Sequence, residues 1–367
     1  MGNFGVVSKG VKCPVIREGD NIVDIVVENV LEATARDYDQ MSFGGRAHEL
    51  GGYLNYKNDI ICVTESVVAR SAGLYVTVDE IAEDIREKFG ENPEITLMKP
   101  IYSRNRFSMI LKGIARAAKK ITILMPEFDE VGNPRGVNQF TGVNIQEYYT
   151  EICHSENCFC MIMDYNVKEV KRWGKNWIFC GLHDYQIWGR HPYAQEITCY
   201  TLANICSDKN PDFGVLGSNK ATEERLKLFP TIRLANKVCA DIKEKIRKAT
   251  GKDVIVCCYG DGCFKDPVGG IWEFADPVTM PGYTDEELME STPNEIKFKA
   301  FIDESKSNEE LEANINAAKE EKNLVGKMSA MGTTPRLFRD LIASLADLTS
   351  GSGNRQTPVI LIQGYFD

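Results

Sequence analysis

The chain has 367 residues, 43% of them hydrophobic, which is sufficient for one large domain or for two domains with ordinary packed cores. Its formal net charge of −10 argues against a nucleic-acid partner, which would require a basic surface, and an anionic nucleotide would have to be bound together with metal ions. No segment approaches the roughly 20 uninterrupted apolar residues of a membrane span, and the first residues lack the charged and then apolar order of a signal peptide. We therefore expect a soluble cytoplasmic protein without a membrane partner.

Hydrophobic periodicity and capping residues predict alternating helices and strands along the chain. The predicted helices are 21–37, 78–89, 104–120, 144–153, 168–173, 193–207, 223–250, 307–322 and 335–348. The predicted strands are 59–64, 95–98, 121–125, 159–163, 177–180, 254–259 and 358–363. Thr77 is the predicted N-cap of the helix 78–89, and Thr334 followed by Pro335 marks the start of the last helix. The order of strand, helix and strand between residues 95 and 125 predicts a right-handed crossover.

The twelve cysteines are scattered along the chain without a C-x-x-C pair, and several lie in apolar runs that are typical of strands. This distribution indicates reduced, buried thiols that pack as small hydrophobic side chains. A catalytic thiol at Cys263 is disfavoured, because no histidine lies near it in sequence to act as its base.

Two aspartates follow apolar runs that read as strands. Asp184 comes after the run 177–180, and Asp261 comes after the run 254–259. Loops at strand ends are where open sheets build their sites. The stretch 259–273 around Asp261 combines flexible glycines, charged side chains and a tryptophan, and this composition favours a metal and phosphate site over a plain turn.

Further candidates lie near predicted helix starts and strand ends. Arg104 and Arg106 occupy a helix start, where the helix dipole disfavours cations unless an anion neutralises them, so they predict either a phosphate or carboxylate contact or a solvated helix face. Gly19 and Asp20 read as a turn and an N-cap before the first helix. The stretch 63–73 reads as a strand end followed by a polar turn that carries one cation, Arg70.

Two other patterns are weaker. His183 and His191 flank Asp184, but their spacing matches no strong zinc signature. The Gly- and Ser-rich stretch 349–354 follows a helix and precedes a strand, whereas phosphate loops precede a helix, so it predicts a tight turn.

Four stretches in this order resemble the coenzyme F(420)-0:L-glutamate ligase family, which joins glutamate through γ-linkages to a phosphorylated deazaflavin. They are Gly19 with Asp20 ahead of the first helix, the strand and turn 63–73, the aspartate after the strand 177–182, and the aspartate after the strand 254–259. The stretch 344–352 is similar to the C-terminal helix of the family. Each motif is modest alone, and their joint order makes the resemblance specific.

The chain also departs from the usual motifs of the family. The motif Asp-Glu-Ser-Asn appears as the run 184–187, Asp-Tyr-Gln-Ile, and Asp-Thr-x-Gly-Arg appears as the run 261–265, in which Lys265 takes the place of the arginine. The motif Lys-x-x-Ser-Lys-Ala-Glu-Gly appears as Ser66 to Gly73 and keeps one cation of two. Residues 95–175 have no obvious counterpart, so the chain looks like a divergent branch.

The resemblance implies a mixed α/β (α+β) fold in two lobes, with an inserted α/β segment and a metal site in the cleft between the lobes. The implied division is an N-terminal ligase-like part (1–94), the inserted segment (95–175), and a metal- and nucleotide-binding part with a C-terminal helix and strand (176–367). A homodimer is the implied assembly.

The resemblance also implies a chemistry. The family phosphorylates an acceptor carboxylate with the γ-phosphate of GTP, with ATP as the other option, and the amine of L-glutamate then attacks the acyl phosphate. Asp184 and Asp261 would bind Mn²⁺ or Mg²⁺, which prefer hard oxygen ligands. The residues implied to contact the nucleotide or the other substrates are Gly19, Asp20, Arg70, Gly260 and Gly262, with Arg104 and Arg106 as a weaker option. Asp261 and Lys265 are the implied catalytic residues.

Two alternatives stay open at this point. The altered motifs at 184–187 and 261–265 are also compatible with a nucleotide- or metabolite-binding protein that is not a ligase. The same ligase chemistry on a different acceptor carboxylate is the second alternative.

Overall fold

The computed structural model of the chain describes residues 5–40, 45–55, 57–102, 106–129, 134–138, 142–165, 174–180, 197–260, 280–290, 299–302, 305–319, 337–351 and 355–366. The helices are α1 (Ile22–Ala33), α2 (Glu65–Ser71), α3 (Val78–Phe89), α4 (Phe107–Ala117), α5 (Ile145–Ser155), α6 (Ile232–Thr250), α7 (Lys299–Ile302), α8 (Asn308–Lys319) and α9 (Phe338–Thr349). The strands are β1 (Val7–Val11), β2 (Arg36–Gln40), β3 (Gly45–Glu49), β4 (Ile60–Thr64), β5 (Tyr75–Thr77), β6 (Glu94–Met98), β7 (Lys120–Met125), β8 (Phe159–Asp164), β9 (Asn176–Phe179), β10 (Thr198–Thr201), β11 (Ser218–Thr222), β12 (Arg225–Leu228), β13 (Ile255–Tyr259), β14 (Gly282–Tyr283) and β15 (Val359–Gln363).

A first sheet has the strand order β1-β15-β4-β13-β14. β4 and β13 run parallel, and the other neighbouring strands are antiparallel. Side chains of α1 and α6, among them Val26 and Ile242, pack on one face, and Ile342 and Ala346 of α9 pack on the other. Because both faces are covered, β4 and β13 read as continuous apolar runs rather than as alternating ones.

A second sheet has the order β10-β9-β6-β7-β8, and all of its strands run parallel. Helices α3, α4 and α5 cover one face with side chains such as Ile81, Ile110 and Tyr149. The chain order of the strands reverses between β6 and β9, so the carboxyl ends of these two strands flank a crevice of the kind in which open α/β sheets bind ligands.

Two smaller sheets complete the described part. β12 pairs with β11 on one side and with β5 on the other, in the order β11-β12-β5, and β2 pairs with β3 as a hairpin. Among the described residues, the helices are all too short or too polar to cross a membrane.

Most predicted strands are confirmed to within about one residue, because their apolar runs are buried on both faces. The helix 78–89 is confirmed with Thr77 as its N-cap, and Glu80 completes a capping box by accepting hydrogen bonds from the Thr77 backbone (2.7 Å) and hydroxyl (3.1 Å). The first helix begins after Asn21, whose side chain accepts from the backbone N–H of Asp24, so the predicted N-cap at Asp20 is wrong by one residue.

Other predicted boundaries are wrong. The predicted helix 193–207 is wrong, because this stretch contains β10 and, from Leu202 onward, turns. The predicted helix 223–250 includes the strand β12 near its start. Pro230 and the N-cap Thr231 separate this strand from α6. The predicted turn 65–73 contains α2. The first helix ends at Ala33 and α4 begins at Phe107, which shortens two other predicted helices. The predicted helix 168–173 and the residues Thr334 and Pro335 lie outside the described residues.

The mixed α/β fold class is confirmed. The arrangement in two lobes and the division at residues 94 and 175 stay predictions. The second sheet extends past residue 175, because β9 and β10 pair in line with β6.

A substitution at Gly282 tests how closely the first sheet packs against α6. A Cβ at this position would lie 2.4 Å from the carbonyl carbon of Ala235 and 2.6 Å from the backbone nitrogen of Asn236, and backbone atoms of a helix cannot yield easily. We predict that Gly282→Ala lowers the free energy of unfolding by about 2–3 kcal/mol, measured by urea denaturation. Gly136→Ala is the control, because a Cβ there meets nothing within 4 Å, and an equal loss in both variants would contradict the prediction.

Candidate functional site

The carboxyl ends of β4 and β13 lie side by side. Thr64 is the register partner of Tyr259, so Glu65 and Gly260 leave the two strands at the same level. Gly260 is buried, and it lacks a Cβ that would keep a ligand away from the backbone. Asp261 is the next residue in the chain; Asp261, Gly262 and Lys265 lie outside the described residues.

A polar cluster of four residues, Glu65, Ser66, Asn219 and Lys227, occupies this edge. Glu65 is 2% exposed, and its Oε1 accepts a hydrogen bond from Asn219 Nδ2 at 3.4 Å. Lys227 is 8% exposed, and its ammonium group donates to the Ser66 hydroxyl. Asn219 on β11 and Lys227 on β12 are register partners, so the β11–β12 hairpin carries an amide and a cation to the carboxyl end of β4.

None of these four residues is among the site residues predicted from the sequence. The predicted helix 223–250 places Lys227 on a helix, where it would not face Asn219. The alternation of polar and apolar residues over Arg225–Leu228 is the signal that could have identified the strand, although it spans only four residues.

Buried thiols lie beneath the cluster. Cys62 on β4 and Cys257 on β13 are register partners, and the hydrogen bond between their thiols together with burial raises the pKa of the Cys257 thiol. Burial likewise raises the pKa of the Cys258 and Cys239 thiols. These thiols stay protonated at neutral pH and are not nucleophiles, as expected for small hydrophobic side chains. Cys263 lies outside the described residues.

Gly19, Asp20 and Arg70 come together at the opposite end of α2. Gly19 has a φ of +87°, and its N–H donates to the carbonyl oxygen of Ser71 at 2.9 Å. The Asp20 carboxylate accepts from the backbone N–H of Arg17 at 2.6 Å, and the partly exposed Arg70 belongs to the last turn of α2. With seven residues, α2 places this group about 10 Å along the helix axis from Glu65.

A second carboxyl edge belongs to the parallel sheet. Asp184 follows β9 by a few residues and lies outside the described residues, as do Arg104, His183 and His191. The next strand in the sheet, β6, is followed by Lys99, which has a φ of 47° and whose ammonium lies 4.7 Å from the centre of the Tyr165 ring. Asp184 therefore follows one of the two strands between which the strand order reverses.

The segment 202–219 connects the two edges. Leu202 donates its N–H to the carbonyl oxygen of Phe179 at the end of β9 (3.3 Å), and Val215 donates to Leu202 (3.1 Å). The segment then continues into β11, where Asn219 reaches Glu65. The end of β9, which precedes Asp184, and Glu65 at the end of β4, the strand beside β13, are thus in contact with one continuous stretch of chain.

Arg106 is part of this connection. Arg106 is 4% exposed, and its Nη1 donates to the carbonyl oxygen of Leu216 at 3.1 Å. The guanidinium therefore ties the start of α4 to the connecting segment, and its predicted contact with a substrate stays a prediction. Among the described residues, no group of three or more His, Cys, Asp or Glu side chains is arranged to hold a metal ion.

Arg106 and Arg70 are expected to differ in their structural roles. We predict that Arg106→Met lowers the free energy of unfolding by about 2 kcal/mol, because it removes a buried hydrogen bond from a charged donor. Arg70→Met is expected to cost less than about 1 kcal/mol, since Arg70 is partly exposed on a short helix. Urea denaturation of both variants measures the difference, and equal losses would contradict it.

A profile of the family F420-0:Gamma-glutamyl ligase matches residues 10–364, which is nearly the whole chain. No curated protein sequence matches the chain. The match covers both carboxyl edges, the connecting segment and the positions of Asp184 and Asp261. The chain therefore belongs to the F420-0:gamma-glutamyl ligase family.

Proposed function

We propose that the protein is a nucleotide- and divalent-metal-dependent ligase that adds L-glutamate through a γ-linkage to an acceptor carboxylate, such as that of coenzyme F(420)-0, by way of an acyl phosphate. Its family is a family of γ-glutamyl ligases in F(420) biosynthesis, and such enzymes form a carbon–nitrogen bond between small molecules. The observation that carries the finer proposal is that Asp184 follows β9 and Asp261 follows β13. The segment 202–219 contacts the end of β9 and, through Asn219, Glu65 at the end of β4, the strand that pairs in parallel with β13.

The donor chemistry of the β4–β13 edge fits a hard divalent ion. Glu65 is a buried carboxylate at this edge, and Asp261 follows Gly260 directly. Mn²⁺ and Mg²⁺ prefer oxygen ligands of this kind. Asp184 and Asp261 would hold the ion, which when bound neutralises charge on the phosphate oxygens.

The remaining roles belong to backbone and cationic groups of the chain. Gly260 and Gly262 allow a phosphate to approach the backbone, and Lys265 and Arg70 supply positive charge to phosphate or carboxylate oxygens. Gly19 and Asp20 form the turn beside Arg70, and Arg104 is a further candidate contact.

In the proposed reaction, an oxygen of the acceptor carboxylate takes the γ-phosphoryl group of the nucleotide and releases the nucleoside diphosphate. The amine of L-glutamate then attacks the acyl carbon, loses a proton and displaces phosphate.

GTP is the proposed nucleotide, with ATP as the alternative, and a cytoplasmic homodimer is the proposed form of the enzyme. A second candidate function follows from the altered runs 184–187 and 261–265, which lack several residues of the usual motifs. These departures favour a change of acceptor, or a protein that binds a nucleotide or metabolite without ligation, and the two experiments below separate these cases.

Removal of either proposed metal carboxylate should abolish ligation while the fold persists. We predict that Asp184→Asn and Asp261→Asn each reduce turnover by about 100-fold or more, since even outer-shell partners of metal sites are worth 10–100-fold. The assay follows nucleoside diphosphate release and product mass with GTP, L-glutamate, F(420)-0 and Mn²⁺. Asp241→Asn, at a half-exposed carboxylate of α6, is the control. Full activity of the double variant Asp184→Asn/Asp261→Asn would refute the assignment.

Nucleotide binding can be measured independently of the acceptor. At a nucleotide concentration about 100 times its Kd, the apparent melting temperature should rise by about 3 °C. We expect this rise with GTP in the presence of Mn²⁺, and its loss in Asp261→Asn. A rise with ATP alone would reassign the nucleotide. No rise with either nucleotide would argue against the phosphoryl-transfer mechanism.

A further inference from the structure

Two lysines of the described chain are almost fully buried, and they differ in what they bind. Lys252 is 5% exposed, and its ammonium donates to three backbone carbonyl oxygens of one loop, those of Gly51 (2.8 Å), Gly52 (3.2 Å) and Leu54 (2.7 Å). This geometry uses all three donors of the ammonium group for the fold. Lys252 is therefore a structural lysine.

Lys227 lies in a different environment. It is 8% exposed, its ammonium donates to a side-chain hydroxyl, that of Ser66, and its register partner is the amide Asn219. It also lies at the carboxyl ends of two parallel strands, where the buried Gly260 leads into Asp261. Taking an ammonium group out of water is costly, and such a group is well suited to bind an anion in a site from which water is excluded.

We propose that Lys227 is a substrate-binding cation of the ligase, and that its ammonium contacts an oxyanion of a substrate, either the phosphoryl group that is transferred or the carboxylate that receives it. The proposal rests on the proposed function. The shared chemistry is an oxygen anion that requires a desolvated positive charge, and the experiment below distinguishes the two sources.

The position of Ser66 supports this assignment. Ser66 is the first residue of the stretch 66–73, in which a serine stands where the similar motif begins with lysine. The ammonium of Lys227 comes from a strand 161 positions further along the chain and reaches the hydroxyl of that serine. A positive charge is thus present beside Ser66, and it is carried by β12.

Lys227→Met in the full chain tests the proposal, with Lys252→Met as the matched control. The measurements are the shifts in melting temperature caused by inorganic phosphate, by GTP or ATP with Mn²⁺, and by L-glutamate, and the KM of each substrate in the ligation assay. Lys227→Met should lose the shift of one anionic ligand and raise its KM by at least about 10-fold, the scale of one hydrogen bond to a charged group. Loss for phosphate and nucleotide identifies a phosphoryl contact, and loss for glutamate or the acceptor identifies a carboxylate contact.

Lys252→Met should lower the melting temperature of the free protein and leave the ligand shifts and the KM values unchanged. The exchange Ser66→Lys/Lys227→Ser returns an ammonium group to the same place and should recover binding, as should Lys227→Arg in part. If Lys227→Met does not fold, the ligand shifts and KM values of these two charged variants test the proposal instead.

Wild-type ligand shifts and KM values in Lys227→Met would overturn the proposal and leave the proposed ligase function standing. An absence of any ligand response in the wild-type protein would overturn both.

Discussion

The parallel pairing of β4 with β13 determines where the candidate site lies. Both strands are buried along their whole length, because α1 and α6 cover one face of the sheet and α9 covers the other. Such strands have a strongly specified register, since a slip by one residue would move every side chain to the opposite face. With Thr64 opposite Tyr259, helix α2 and the chain beyond Gly260 start side by side, and the polar cluster forms where they do.

The β11–β12 hairpin brings the second sheet into this arrangement. Glu224 lies in the turn of this hairpin, and its carboxylate accepts hydrogen bonds from Lys112 and from Arg116 Nη1 (3.0 Å). Both donors belong to α4. The hydrogen bond from Lys112 lowers the pKa of the Glu224 carboxyl, so this group stays charged at neutral pH. The helices of the parallel sheet therefore anchor the turn of a hairpin whose other residues, Asn219 and Lys227, reach the first sheet.

The sequence predicts those parts of the fold that depend on local signals. Thr77 identifies the start of α3 as its N-cap, and the apolar runs identify the central strands. Lys227 could not be identified in this way, because its role depends on a contact with Ser66, 161 positions away, and because the strong helical period of α6 extends in the sequence over the short strand β12. Helix α2 is buried on most of its surface and therefore shows no polar face from which its period could be read.

The connecting segment 202–219 has a consequence for how this scaffold can evolve. It contacts both the end of β9 and Glu65 at the end of β4, the neighbour of β13, so the spacing between the two edges is a property of the framework and not of the residues that follow Cys180 and Gly260. Segments that follow strand ends can change in sequence and length at low entropic cost. Divergence of the runs 184–187 and 261–265 is therefore compatible with an unchanged framework, and a lineage of γ-glutamyl ligases can acquire a new acceptor while it keeps the spacing of the strand ends.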